Sequence, residues 1–267
     1  MMHLIDTHAH LNDDRYKDDL DEVLLRAKEA GLTRIILASA DIGDSLEEQQ
    51  IAAGKSVPGL QLFCTVGVHP HEASKYTDEM HAQLRSWLSE REKNRIVAVG
   101  EIGLDYFYDF SPREIQKAVF RRQLELAFEA DIPVVLHERD AVEDTLKILR
   151  EFHEAGKLRA VPGVCHCYSG SEETAKILLS YGFYLGFDGP ITFKNSRRAP
   201  EVIRMTPIER LLIETDSPYL TPIPFRGQRN EPSFVKFVLE KMAEMKGVSA
   251  EEMAVITMNN ACQLFRL

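Results

Sequence analysis

The chain alternates short apolar runs with longer amphipathic segments, and this alternation constrains its fold more than any other feature of the sequence. The runs are rich in Val and Ile, and the segments between them repeat apolar residues at helical spacing. Eight strands are predicted near residues 2–7, 34–39, 62–67, 96–101, 132–137, 162–166, 183–187 and 211–215. Strands that alternate with helices predict a parallel sheet, and eight repeats predict its closure into a single (β/α)8 TIM barrel.

The segments between and after these strands predict the helices. They lie at 18–30, 45–56, 78–92, 113–130, 141–153 and 171–181, with a short one at 196–205 and two more at 232–246 and 249–264. Ser249 stands three residues before Glu252, which is the spacing of a capping box at the start of the last helix.

Length and composition favour one soluble domain. The 267 residues, 44% of them hydrophobic, suffice for a single barrel over residues 1–267. No run reaches the roughly 20 apolar residues of a membrane span, and the first residues lack the pattern of a secretory signal. With only four cysteines, we expect reduced thiols and a cytoplasmic protein without a membrane partner. The oligomeric state stays open, and a monomer is compatible with the sequence.

The charge balance restricts the kind of partner. With 32 Lys and Arg against 42 Asp and Glu, the formal net charge is −10, which argues against a broad non-specific surface for nucleic acid. A small phosphate site remains compatible with this charge. An anionic substrate would then need bound cations for its attraction.

Candidate metal ligands occur where five of the apolar runs end. They are His8 and His10, Glu101, His137, His166 and Asp216. The carboxyl ends of barrel strands meet at one face, so these side chains are predicted to converge there. Taken singly, each has an ordinary alternative as a hydrogen-bonded histidine or a carboxylate that caps a loop. Their recurrence along the chain favours a two-metal hydrolase centre.

Spacing and chemistry suggest roles within this centre. His8 and His10 are two residues apart, so on a strand both point to one face and can reach one ion. The two oxygens of Glu101 could bridge two ions. Glu214, two residues before Asp216, is expected to hydrogen-bond to a ligand and not to be one. Nitrogen and carboxylate oxygen ligands suit Zn, Mn, Co, Ni or Mg, and the sequence does not choose among them.

Two cysteines flank His166 and raise the alternative of a zinc-thiolate site. On a strand, Cys165 and Cys167 would point to the face opposite His166. Packing against the helices is therefore the favoured interpretation for both thiols.

Seven stretches, in order along nearly the whole chain, resemble the TatD-type metal-dependent deoxyribonucleases of the amidohydrolase superfamily. They are DTHAHL at 6–11, GVHPH at 67–71, GEIGLDY at 100–106, PVVLH at 133–137, HCYSG at 166–170, ETDSPYL at 214–220 and RGQRNEP at 226–232. The combination is specific for the family and less specific for the substrate.

The resemblance implies how two divalent ions are shared among the ligands. One ion is held by His8, His10 and Asp216, the other by His137 and His166, and Glu101 bridges them. It also implies that His71 and Arg139 line a phosphate pocket. The family often has a small hydroxyl residue before this arginine, whereas Glu138 stands here, which puts the polarity of the pocket in doubt.

One basic segment keeps two interpretations. Arg226, Arg229 and Asn230 could touch a phosphate or could cap the loop after the last strand.

The function that the resemblance implies is hydrolysis of phosphodiester bonds by a metal-activated hydroxide, with Asp216 as proton acceptor. The expected activity is 3′-to-5′ trimming of single-stranded DNA, with RNA as a second candidate substrate, and the preferred strand end stays open. A binuclear amidohydrolase acting on a small ester, amide or lactone is the first alternative, and the negative charge mildly favours it. A non-catalytic metal-binding barrel protein is the second, which the intact ligand set disfavours.

Overall fold

The computed structural model of the protein describes residues 2–267, and its centre is one parallel eight-stranded sheet. The strands are β1 (Leu4–Ala9), β2 (Leu32–Leu37), β3 (Gln61–Val66), β4 (Ile96–Asp105), β5 (Val134–Arg139), β6 (Gly163–Cys165), β7 (Tyr184–Phe187) and β8 (Leu211–Ile213). Each strand pairs in parallel with the next one along the chain. A parallel bridge between Ala9 and Ser217 joins the first strand to the segment after the last, which brings the sheet close to a closed barrel.

Helices follow the strands, as the sequence pattern predicts. They are α1 (Leu20–Glu29), α2 (Ile42–Gly54), α3 (Asp78–Ser89), α4 (Arg113–Glu129), α5 (Val142–Glu154), α6 (Glu172–Ser180), α7 (Ala199–Met205), α8 (Val235–Lys246) and α9 (Ala250–Phe265). Polar side chains fix several helix starts by accepting a hydrogen bond from an N–H in the first turn. At α9, Ser249 Oγ accepts from the N–H of Glu252 at 3.1 Å, which is one of the two hydrogen bonds of the predicted capping box.

The core has two parts, one on each side of the sheet. The larger part packs the outer faces of the strands against the helices. The smaller part gathers buried side chains from most of the strands, among them Ile5, Val135 and Tyr184. Leu264 and Phe265 at the end of α9 complete this smaller cluster. The apolar filling lies toward one end of the barrel, and the other end is left for polar side chains.

The predicted TIM barrel is confirmed, but two strand boundaries differ in ways that matter for the site. β4 continues to Asp105 because Ile102 and Leu104 are fully buried and extend the run. β5 continues to Arg139. Glu101 and His137 therefore lie within their strands, and not at the ends where the sequence analysis places them. The prediction of one domain over residues 1–267 stays a prediction.

Within residues 2–267, no helix combines the length and the hydrophobicity that crossing a membrane requires.

Candidate metal centre

The first group of candidate ligands joins the start and the end of the barrel. His8 Nε2, His10 Nε2, Glu101 Oε1 and Asp216 Oδ1 converge. The two nitrogens lie 3.3 Å apart, and each lies 3.3 to 3.7 Å from both carboxylate oxygens. A tetrahedron with metal–ligand bonds of about 2.1 Å has edges of about 3.4 Å. Both nitrogens therefore have the spacing, from each other and from the two carboxylate oxygens, of ligands around one tetrahedral divalent ion.

The second group uses the other oxygen of the same glutamate. Glu101 Oε2 lies 2.9 Å from His166 Nε2 and 3.6 Å from His137 Nδ1, and the two nitrogens are 3.2 Å apart. Three protein ligands at this spacing leave a fourth position for water or substrate, which is the composition typical of catalytic sites. Glu101 thus lies between the two groups and offers one oxygen to each.

The donor chemistry fits divalent metal ions. Imidazole nitrogens and carboxylate oxygens dominate both groups, as expected for Zn, Mn, Co or Ni. Packed this tightly and buried, such atoms repel one another unless protons or cations lie between them. Three partly overlapping sets of possible ligands arise in the described chain, and all of them meet around this point: His8–Glu101–His166, His8–His10–Asp216 and His69–Glu101–His137.

Local backbone irregularities aim these side chains. The pairing of β1 with β2 shifts register between Asp6 and Ala9, in the segment that carries His8. The pairing of β4 with β5 shifts between Val99 and Ile102, around Glu101. Asp216 has a left-handed backbone with φ 53°, and its N–H donates to His8 O at 2.9 Å. His8, Glu101 and Asp216 are thus each held at a departure from the regular strand.

The carboxylates determine the protonation of the metal-free histidines. Burial lowers the pKa of His10, but Asp216 and Glu101 outweigh it and raise this pKa to about 10. In the same way, burial lowers the pKa of His137, whereas hydrogen bonds with Asp105 and Glu101 raise it to about 9. For His8, burial and the neighbouring His166 dominate and lower the pKa to about 4. Protons on the His10 and His137 rings therefore offset part of the carboxylate charge in the site.

Asp105 is a residue of the site that the sequence analysis missed. Its Oδ2 lies 3.1 Å from His137 Nε2 and 2.9 Å from His71 Nε2. When the His137 ring is neutral, this carboxylate favours the proton on Nε2, and the Nδ1 atom then has its lone pair toward Glu101 and His166. Burial raises the pKa of the Asp105 carboxyl, but the hydrogen bonds from His137 and from the following turn outweigh it and lower the pKa below its usual value.

His69 is the second residue that was missed. It follows β3, is 7% exposed, and packs edge to face on His137 with ring centroids 4.3 Å apart. Its Nδ1 accepts the N–H of His71, so its Nε2 is free to face Glu101 and His137. Burial and His137 hold its pKa well below 6.5, which keeps the ring neutral. The sequence did hold a signal for His69 as a residue of the site, since the stretch GVHPH follows an apolar run just as the predicted ligands do.

The two residues predicted to line a phosphate pocket lie beside the metal centre. His71 has its ring centroid 6.3 Å from that of His137 and shares the Asp105 oxygen with it. Arg139, the last residue of β5, is exposed, and its guanidinium lies over the rings of Phe107 and Tyr108. Their role in binding stays a proposal.

The remaining polar candidates take part in the structure of the loops. Arg229 pairs with Asp19 at 2.6 and 2.7 Å, and the Asn230 amide donates to Thr215 O and Tyr219 O. These contacts favour the interpretation that Arg229 and Asn230 cap the loop after β8. Arg226 stacks on Phe193 at 4.4 Å. Glu138, which departs from the family pattern, accepts the N–H of Ala141 at the start of α5.

The neighbours of His166 take different positions. Glu214 accepts the N–H of Cys167 and approaches His166 Nδ1 at 3.9 Å, next to the ligands but outside both groups. Cys165 packs in the core beneath the helices. Cys167 lies beyond the end of β6 with φ 45°, so strand alternation does not govern it. Burial raises the pKa of both thiols, which disfavours thiolate ligands.

Comparison with known proteins places the chain in a family. The model of the TatD related DNase family matches residues 5–266. An uncharacterized metal-dependent hydrolase of Bacillus subtilis is 46% identical over 99% of both chains, and a 3′-5′ ssDNA/RNA exonuclease TatD of Cronobacter sakazakii is 34% identical over 98% of this chain and 97% of its own. The crystal structure of a TatD homologue from Escherichia coli is 32% identical, with a TM-score of 0.89 over 99% of this chain and 98% of its own. The chain therefore belongs to the TatD family and is a metal-dependent hydrolase of that type.

Proposed function

We propose that this protein is a 3′-to-5′ exonuclease that hydrolyses the phosphodiester bonds of single-stranded DNA or RNA. The observation that carries the proposal is the position of Glu101, with one oxygen in each of two ligand groups. The exonuclease named among the relatives, 34% identical over nearly all of both chains, supports the substrate class.

We propose that His8, His10 and Asp216 would hold one divalent ion, that His137 and His166 would hold a second, and that Glu101 would contribute one oxygen to each. Ions held there would lower the pKa of a water molecule toward neutrality and would offset the negative charge that develops on the phosphoryl oxygens. Mg²⁺ is included among the possible ions, although the nitrogen-rich donors favour Mn or Zn.

Asp216 is the proposed proton carrier. Burial raises the pKa of its carboxyl, but the hydrogen bond and charge of His10 outweigh it, so the pKa stays below 3.8 and the group stays ionised at neutral pH. It can therefore take a proton from the attacking water and deliver it to the leaving 3′-oxygen. A new P–O bond forms as the P–O3′ bond breaks, which releases a 5′-mononucleotide and leaves a 3′-hydroxyl on the strand.

Two side chains of the protein itself, His71 and Arg139, position the phosphate in this proposal. His71 and Arg139 lie on the side of the centre that also carries His137, and Arg139 has no carboxylate partner among the ion pairs of residues 2–267. With a net charge of −10 on the whole chain, binding of a strand is expected to depend on this small site and on the metals. A duplex end must fray to reach it, so duplex is expected to be the poorer substrate.

The test is a digest of a 5′-labelled single-stranded oligonucleotide with Mn or Mg added. We expect a ladder that descends one nucleotide at a time, with 5′-mononucleotides as products. Glu101→Gln should abolish the ladder because it weakens both ligand groups. Glu240→Gln, on the exposed surface of α8, is the matched control and should leave the ladder unchanged.

Two further substrates separate the alternatives. Internal cuts on a circular single strand would show an endonuclease and contradict the 3′-end preference. Turnover of a small ester or lactone, with none on the oligonucleotides, would contradict phosphodiester hydrolysis altogether.

A further inference from the structure

Three aromatic side chains stand exposed on the loop that follows β4. Phe107, Tyr108 and Phe110 expose 56%, 47% and 66% of their surfaces. Large apolar groups concentrated in four consecutive positions of a surface loop are unusual in a soluble protein, and such patches mark binding sites. The loop follows the strand that carries Glu101.

This aromatic cluster lies directly beside the phosphate-binding candidates. The ring of His71 is 4.9 Å from that of Phe110 and 5.3 Å from that of Tyr108. The Arg139 guanidinium lies 4.1 Å from the centre of the Phe107 ring and 4.8 Å from that of Tyr108. A strand with its phosphate near His71 would therefore place a neighbouring base next to these rings.

Hydrogen bonds hold the loop in this shape. Asp105 Oδ1 accepts the N–H groups of Phe107 and Tyr108 at 3.0 and 2.9 Å. Ser111 Oγ donates to His71 O at 2.8 Å, which ties the end of the loop to the segment that follows β3. The rings are thus exposed on a fixed backbone, and ordering them on binding costs little entropy.

The rings are also arranged as a surface with one free face. Tyr108 and Phe110 are stacked at 25° with centroids 5.3 Å apart, while Arg139 covers Phe107 and Tyr108. Phe110 is consequently the ring with the most uncovered area. By contrast Tyr219, the exposed aromatic residue near His10, is already covered by Arg15 at 4.3 Å.

We propose that Phe107, Tyr108 and Phe110 form a stacking platform for a base of the nucleic-acid strand, next to the phosphate held at the metal centre. The inference rests on the proposed function and adds a binding site to it. The occupant is a nucleobase because flat π-faces stack on aromatic rings whatever the sequence, and because the cation of Arg139 suits the adjoining phosphate. An uncharged apolar partner would make no use of this cation.

The platform is tested with a single-stranded oligothymidine that carries 2-aminopurine one, two or three nucleotides from its 3′ end. Phosphorothioate linkages near that end prevent its degradation. Stacking quenches the fluorescence of 2-aminopurine, so the signal reports the base and not the phosphate. We expect quenching at one of these positions by the wild-type holoenzyme, with about tenfold weaker binding for Phe110→Leu and for Tyr108→Leu. Phe128→Leu, which changes a partly exposed phenylalanine of α4, is the matched control and should bind as the wild type does.

An abasic nucleotide at the quenched position completes a double-mutant cycle. The abasic strand should bind about tenfold more weakly to the wild type, and its binding should hardly change further with Phe110→Leu, since the ring and the base act through the same contact. If removal of the base weakens binding by the same factor in the wild type and in Phe110→Leu, the platform is overturned. Quenching that both leucine variants retain, or no quenching at all, would also overturn it. Failure of the proposed function is seen separately, as the absence of cleavage of the unmodified strand.

Discussion

Replacement of Asp105 by Asn is expected to disable one ligand group without unfolding the barrel. The carboxylate accepts four hydrogen bonds, two from His71 and His137 through Oδ2 and two from backbone N–H groups through Oδ1. An amide has one acceptor and one donor end. If the oxygen stays with the backbone, the NH₂ faces both histidines, and His137 must accept at Nε2. Its proton then moves to Nδ1, the atom that faces Glu101 and His166.

The magnitude follows from this change of tautomer. Loss of a hydrogen-bond partner of a metal-ligating histidine typically costs 10- to 100-fold in metal affinity. The wrong tautomer adds to this loss, so we expect about 100-fold weaker binding of one metal equivalent, or about 2.7 kcal/mol. The fold should lose about 1 kcal/mol, because the bonds to Phe107 and Tyr108 weaken but persist.

Calorimetric titration with Zn or Mn measures the two equivalents separately, and thermal melting reports the fold. Asp144→Asn is the matched control. Asp144, in α5, accepts a hydrogen bond of 2.6 Å from the hydroxyl of Tyr106, the residue that follows Asp105, and has no histidine among its hydrogen-bond or ion-pair partners in the described part of the chain. We expect this control to bind both equivalents within twofold of the wild type. An Asp105→Asn protein with wild-type affinity for both equivalents would refute the reasoning.

Three further predictions concern protons and charge. Asp216→Asn should keep its fold and lose about 100-fold or more in turnover, since an amide accepts no proton; near-normal turnover of a folded variant would remove Asp216 from proton transfer. Metal binding at pH 7 should release about two protons, because the raised pKa values of His10 and His137 leave both protonated in the metal-free chain. Affinity should rise with pH up to about 9 for the ion bound by His137 and up to about 10 for the ion bound by His10; calorimetry in buffers of different ionisation enthalpy checks this. Arg229→Met should lower the free energy of unfolding by about 1 kcal/mol or less, because it removes the ion pair with Asp19 and both groups are partly exposed. The melting temperature should fall accordingly, and turnover should stay unchanged.

The fold could be predicted from the sequence because its signals are local. The repeated apolar runs and amphipathic segments place all eight strands, and a cap such as Ser249 fixes a helix start within a few residues. The ends of β4 and β5 were less accessible. Buried residues such as Ile102 and Leu104 continue a strand past a charged residue, and the sequence analysis ended the run at Glu101.

The convergence of the six predicted ligands was also accessible, because each follows or interrupts an apolar run. What sequence reasoning could not supply is the partner of each ring nitrogen. Asp105 stands four residues beyond Glu101 in sequence, and its contact with His137 depends on the pairing of β4 with β5. His69 shows the same limit, since its contact with His137 joins strands that are not neighbours in the sheet.

The most direct test of the two-metal account is the anomalous diffraction of a crystal loaded with Mn or Zn. We expect two peaks roughly 3.5–4 Å apart, one on each side of the Glu101 carboxylate. His8, His10 and Asp216 should surround the first peak, and His137 and His166 the second. A single peak at saturating metal, or a pair that Glu101 does not bridge, would contradict the account.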